Sequence, residues 1–315
     1  MLRSGSTAGP LYCKLAPLSR ESVVACETPM NRSLVIASAI AILGGCRQST
    51  ALQEGSAKKD TAMDGDLLPA LTRVRGARVF FSHHSVGADL LEGMGGLAAA
   101  AGSPLKLMSL DQAATDPGPG WLDAEGGVNK DPRGKIDFFA DAIRHRTELK
   151  PKLAFMKFCF VDFNPHTDVD ELFAHYESTL GALEKEHPEI TFAHVTVPLS
   201  RRPTELKWRI RRVLGRMVWE DEANVKREQF NQRLLERFRA DPIFDLARLE
   251  STRLDGSREA FEHAGGVVHS LDPEYARDEG HLNDLGKRRL GAELVRFVAK
   301  SLPPADSPTI SQKAP

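Results

Sequence analysis

Leu153-Ala154-Phe155-Met156-Lys157-Phe158-Cys159-Phe160 is an almost unbroken apolar run. A strand with one wet face alternates apolar and polar residues. A continuous run suits a strand covered on both faces, as at the centre of a parallel sheet. Working outward, Val79-Phe80-Phe81 reads as a first strand. A helical stretch follows from Val86 to about Ala101, with Leu90, Leu91, Met94 and Leu97 on one face. Leu105 to Leu110 is a candidate second strand, and Ile136 to about Arg146 a helix. Downstream, Val169 to Glu186 reads as a helix closed by Pro188, and Ile190 to Val197 as a strand ended by Pro198. Asn224 to Arg239 is an amphipathic helix, Val267 to Leu271 a last short strand, and Asn283 the cap of a helix running to about Ser301. Repeated strand–helix units predict an α/β fold, a three-layer α/β/α sandwich with a mainly parallel sheet over residues 73–302. Such sheets carry their sites at the carboxyl ends of the strands, so chemistry is expected just after each strand.

The bulk properties narrow the class. The 315 residues suffice for one sizeable domain; 41% hydrophobic and 27% charged residues are ordinary for a soluble globular chain. A formal net charge of -1 gives no global attraction to nucleic acid, and no nucleic-acid partner is expected. The basic stretch from Arg201 to Arg216 reads as a charged, solvent-facing helix. Cys13, Cys26, Cys46 and Cys159 fit no zinc or redox spacing.

The ends read differently from the middle. Residues 1–29 show no hydrophobic periodicity. Met30-Asn31-Arg32, the apolar run Leu34 to Leu43 and the small residues before Cys46 describe a secretory signal over 30–45, with Met30 as the expected start and 1–29 as an extension. The run is too short to span a bilayer as a helix, which takes about 20 apolar residues. Leu43-Gly44-Gly45-Cys46 resembles the lipobox of bacterial lipoproteins, which implies lipidation at Cys46 and a membrane partner through that anchor. Residues 46–72 are expected to form a flexible tether, and 303–315 a disordered tail.

Two segments carry candidate chemistry. Ser85, in Phe81-Ser82-His83-His84-Ser85-Val86-Gly87, falls where the first strand turns into a helix. A hydroxyl there is held on a rigid turn, with helix N-terminal N–H groups nearby to stabilise an oxyanion; a plain helix cap is the alternative. In Asp278-Glu279-Gly280-His281-Leu282-Asn283, the carboxylate can hold the imidazole by Nδ1–H and leave Nε2 free to take a proton from a serine.

A serine after strand one paired with Asp-x-x-His before the last helix resembles the SGNH (GDSL-like) hydrolases, over about Val79 to Val298. His281-Leu282-Asn283 followed by Gly286 is similar to that family's final block. The resemblance implies a flavodoxin-like sheet and a triad of Ser85 as nucleophile, His281 as base then acid, and Asp278 as its orienter. The Ser85 N–H would contribute to the oxyanion hole. The sequence departs from the family where Gly-Asp-Ser becomes His83-His84-Ser85, and where Gly-x-Asn-Asp becomes Phe160-Val161-Asp162-Phe163-Asn164. An ionised Asp162 has only acceptors, so Asn164, a protonated Asp162 or another donor must serve. Gly87, Gly118, Gly120 and His84 are further oxyanion or pocket candidates. Phe-x-His-x-Ser-Val-Gly resembles a little-characterised bacterial branch of the superfamily.

His83, His84, Asp162 and His281 make a conceivable metal set, but no local spacing supports one, and no metal or cofactor is expected. Cys159 reads as core, Trp208 and Trp219 as a lid or a plain amphipathic helix, and Asp245 as a strand end or core support. The expectation is therefore a lipid-anchored envelope esterase, with an O-acylated glycan as the inferred substrate. Its rivals are a non-catalytic glycan-binding lipoprotein and a metal-dependent phosphoester hydrolase.

Overall fold

The computed structural model describes residues 54–304, with side-chain surroundings from residue 65. The expected signal, Cys46 and most of the 303–315 tail lie outside them. A six-stranded sheet forms the centre. Its strands are β1 (Arg78–His83), β2 (Leu107–Ser109), β3 (Gly120–Glu125), β4 (Leu153–Met156), β5 (Thr191–Val195) and β6 (Ile243–Phe244). They lie in the order β2-β3-β1-β4-β5-β6, and every pairing is parallel. β1 is the point at which the winding reverses, because β3 and β4 flank it on opposite sides.

Strand residues alternate between two apolar layers. Val79, Phe81, Leu153 and Phe155 join one core cluster with α2 (Val86–Ala100) and α9 (Asp284–Ser301). Phe80, Ala154 and Met156 join the other with α4 (Pro132–His145), α5 (Val169–Glu186) and α7 (Trp219–Arg237). The architecture is the three-layer α/β/α sandwich expected from the strand–helix alternation. Phe81 and Phe155 meet at 4.6 Å between ring centroids in the first layer. Burying each such side chain is worth roughly 1.5–3 kcal/mol.

Several elements differ from the expectation. The stretch assigned to a tether contains helix α1 (Glu54–Arg75), and Leu67, Leu71 and Val74 on its inner stripe are buried in the first cluster. β3 follows the Gly/Pro-rich stretch around Gly118 and Gly120, where the sequence pattern indicates no strand. β4 ends at Met156; Phe158 and Cys159 stay buried in the chain that leaves the sheet, so their apolar character reflects burial beneath the site rather than a longer strand. The run Val267 to Leu271 does not supply a strand to the main sheet. It contributes β8 (Gly266–His269), antiparallel to β7 (Ala260–His263) in a separate hairpin, with Val267 exposed and Val268 buried. Two short helices, α3 (Leu110–Thr115) and α8 (Leu246–Ser251), complete the sheet connections, and α6 (Leu206–Val213) follows the loop after β5. Among the described residues no helix is long and apolar enough to cross a membrane.

The contact between α2 and α9 positions the site. A Cβ on Gly93 would stand 1.9 Å from the Lys287 carbonyl oxygen, and one on Gly291 would stand 2.6 Å from the Met94 nitrogen. Only glycine at both places lets the two backbones touch. Gly93 lies eight residues beyond Ser85, and Gly291 eight beyond Asn283. At 1.5 Å per residue both helix starts therefore lie about 12 Å from one shared crossing.

Candidate active site

The sheet geometry brings the two chemical segments to one rim. Ser85 follows β1 at its carboxyl end, and Asp278 to His281 form the loop before α9. Ser85 Oγ lies 2.5 Å from His281 Nε2. On the other side of the ring, His281 Nδ1 lies 2.9 and 2.8 Å from the two Asp278 carboxylate oxygens. The three side chains thus form one hydrogen-bonded line across 196 residues of sequence.

Local forces hold each member. Gly87 N–H donates to the His84 carbonyl (3.0 Å), closing a turn with Ser85 at its second position. Ser85 has φ 55° and ψ -106°, a region that L residues rarely occupy. Such strain costs of order 1–3 kcal/mol and persists only where the surroundings fix it. Asp278 accepts the N–H groups of Gly280 (3.0 Å) and His281 (2.9 Å). Partial burial pushes its carboxyl up, but these two donors and the His281 ring outweigh it and hold the group down at about 2. It is therefore an anion wherever an imidazole needs orienting. Asp89 on α2, absent from the sequence candidates, accepts the Leu282 N–H at 2.9 Å and ties the His281 loop to the helix that starts at Ser85. The Phe160 ring meets the His281 ring edge-on at 5.5 Å and forms the floor beneath it.

The remaining candidates separate. His84 is half-buried, and its Nε2 reaches the carbonyls of Gly126 and Gly127, each at 3.0 Å. His83 points inward: it is 2% exposed, and its Nε2 lies 2.6 Å from an Asp123 carboxylate oxygen. Its ring occupies the space that a Cβ on Gly87 would need, 2.4 Å away. Gly87 is thus a close-packing position, and its N–H is already spent on the turn. Gly120, proposed for the pocket, opens β3 opposite Arg78, at the far edge of the sheet from Ser85; Gly118 lies there too, its carbonyl accepting from Arg78. The glycines that do reach the rim are Gly126 and Gly127, after β3. Finding them required recognising β3, which Asp116-Pro117-Gly118-Pro119-Gly120 concealed.

Asp162 is also displaced from the expected role. It is buried, and its carboxylate accepts from the Lys135 ammonium (2.7 and 2.9 Å), Lys130 N–H (2.8 Å) and Cys159 N–H (2.7 Å). A carboxylate so engaged is a brace between loops and has no proton to offer an oxyanion. Asn164 spends its Oδ1 on the His166 N–H at 2.8 Å, which leaves its amide donor as the useful end. The imagined metal set is divided among these partners, and among the described residues no group of three His, Cys, Asp or Glu side chains is placed to hold a metal. Asp245 caps α8 directly after β6 and accepts from the Thr196 hydroxyl, a connection role. Cys159 is a buried free thiol.

No protein-family model matches the chain, and no curated protein matches it in sequence. Two solved structures align along much of it. One is a Streptococcus pneumonia protein assigned as a platelet activating factor: 12% identity, 78% of this chain and 98% of that one, TM-score 0.41. The other is the periplasmic domain of the Salmonella ser. Paratyphi A lipopolysaccharide acetyltransferase: 11% identity, 79% and 98% coverage, TM-score 0.40. Both likenesses are distant.

Proposed function

We propose that this protein is a serine ester hydrolase of the SGNH type. The observation that carries the reading is the Ser85–His281–Asp278 line, with Ser85 Oγ 2.5 Å from His281 Nε2 and the opposite ring nitrogen on an anionic carboxylate. Ser85 Oγ passes its proton to His281 Nε2 as it attacks the ester carbonyl. The tetrahedral oxyanion is stabilised by the Ser85 N–H at the start of α2, with the Asn164 amide as the side-chain candidate for a second donor. Collapse breaks the ester C–O bond, His281 returns the proton to the leaving alcohol, and an acyl group remains on Ser85. Water, deprotonated by His281, then releases the acid and restores the hydroxyl. Asp278 keeps Nδ1 protonated throughout and stabilises the imidazolium.

On this reading the enzyme works in the cell envelope, anchored through Cys46, and an O-acylated glycan is the fitting substrate class. The test is hydrolysis of p-nitrophenyl acetate by the full chain and its Ser85→Ala and His281→Ala variants, with folding followed by circular dichroism. Turnover lost in both variants is the expected result. Equal turnover in all three would remove Ser85 and His281 from the chemistry. Intact mass of membrane-extracted protein tests the anchor: a mature chain that keeps residues before Cys46 would exclude it.

A further inference from the structure

The segment from Leu206 to Trp219 exposes most of its apolar side chains and turns two of its cations, Arg211 and Arg212, inward. Of the thirteen large hydrophobic residues exposed among the described residues, six lie here: Leu206, Ile210, Val213, Leu214, Met217 and Trp219. At 3.6 residues per turn Leu206, Ile210, Val213 and Leu214 fall within an arc of about 100°, with Lys207 and Arg209 at its two edges. The back of α6 carries Trp208, Arg211 and Arg212, all half-buried. Arg212 is bound there to Asp221 (2.6 and 3.0 Å) and to the Pro203 carbonyl (2.8 Å), and Arg211 to the Met217 carbonyl (3.1 and 2.9 Å). No residue of α6 is buried. An ordinary surface helix buries its apolar stripe; this one holds that stripe away from the core with two fixed arginines.

Charge identifies the partner. From Arg201 to Arg216 the chain has seven Lys or Arg residues and one acid, Glu205, although the whole protein carries a net charge of -1. Among the described residues Lys207, Arg209 and Arg216 make no ion pair. An exposed apolar face edged by long cations suits a bilayer with anionic headgroups: the apolar side chains enter the acyl boundary while Lys and Arg reach the phosphates. The segment also adjoins the site, since Arg201 N–H donates to the Glu279 carbonyl at 2.7 Å, within the Asp278–His281 loop.

We propose that Leu206 to Trp219 is an interfacial docking surface for an anionic lipid bilayer, acting independently of any lipid on Cys46. Tryptophan fluorescence reads it directly. The chain has three tryptophans: Trp121 is buried, Trp219 belongs to the exposed patch, and Trp208 lies half-buried on the back of the same helix. The sample is the full chain with Cys46→Ser, so that no acyl anchor can attach, mixed with vesicles of phosphatidylglycerol or phosphatidylcholine bearing brominated acyl chains. The expected result is a blue shift and quenching with phosphatidylglycerol, weakened at about 0.5 M salt. Leu206→Asp with Ile210→Asp should lower partitioning by about tenfold or more while leaving circular dichroism unchanged. Lys207→Gln with Arg209→Gln and Arg216→Gln should remove the salt-sensitive part.

Unchanged emission, equal quenching in the Asp variant, or equal quenching by phosphatidylcholine would overturn the proposal. So would a dimer, seen by ultracentrifugation, that the Asp variant dissolves without lipid quenching; that result would assign the face to a second copy of the chain. Fluorescence needs no turnover, so its outcome is separate from that of the esterase reading.

Discussion

The rim of this site and the layer beneath it use the same residue types to opposite ends. At the rim, Asp278, His281 and Ser85 are partly exposed, and they form one line of hydrogen bonds that ends on the serine hydroxyl. Beneath, buried Lys135 and Asp162 satisfy each other, and buried Arg227 donates to the Phe160 carbonyl (3.0 and 2.7 Å), Ser200 Oγ (2.8 Å) and Asn224 Oδ1 (2.5 Å). Burial lowers the Arg227 guanidinium to about 10, which still leaves it charged at neutral pH. Lys157, also buried and lowered by burial, donates to the Phe158 carbonyl at 2.7 Å. Residue type alone therefore does not mark chemistry. What separates the two layers is burial: the rim groups reach the surface, and the groups beneath are enclosed with partners of their own.

That contrast predicts that the two layers fail differently. The largest effect belongs to the rim: Ser85→Ala or His281→Ala should cut ester turnover by about 10³-fold or more. Ser85→Ala should leave the melting temperature nearly unchanged; a large drop would place Ser85 in the scaffold instead. Next comes the floor. Lys135→Met strands a buried carboxylate and should cost about 3–5 kcal/mol, read as a lower denaturant midpoint. An unaltered midpoint would show the pair to be solvated. Gly87→Ala lies between the layers, pressing a methyl group into the His83 ring, and should cost about 1–3 kcal/mol.

A further effect is a pH slope from the floor. Glu250 is fully buried, with one carboxylate oxygen on the Leu199 N–H and the other, Oε2, unpartnered. Burial raises its carboxyl to about 8, against the opposing pull of the Leu199 N–H. Between pH 4.5 and about 8 the unfolded chain has released this proton while the folded chain keeps it, so stability from this group falls as pH rises through that window. Glu250→Gln should therefore melt higher than the parent at pH 8 and nearly level with it below pH 4.5. The same melting difference at both pH values would refute a titrating Glu250.

How much of this could be read from the sequence followed the same division. β1, α2, α5 and α9 were legible because their periodicities are local. The Ser85 turn and the Asp278-x-x-His281 loop were legible because their pairing resembles the SGNH hydrolases; neither segment was decisive by itself. Asp162 was misplaced because a polar residue after an apolar strand looks the same whether it enters a cleft or braces a loop. The end of α1 was hidden because Gly65, Asp66 and Pro69 interrupt the Leu67, Leu71, Val74 spacing. The stripe on α6 was visible, but no periodicity says which face the rest of the fold will cover.

The paired glycines of α2 and α9 make the spacing along those helices a matter of counting. Ser85 stands eight residues from one side of the crossing, and the cap before α9 eight from the other. Inserting one residue between Val86 and Gly93 would turn the serine end by about 100° and move it about 1.5 Å along the axis. The core could close around such a chain with its sheet intact, yet the hydroxyl would face away from its imidazole. The serine and the imidazole behave like two hands on one dial, and two adjacent backbones set the hour.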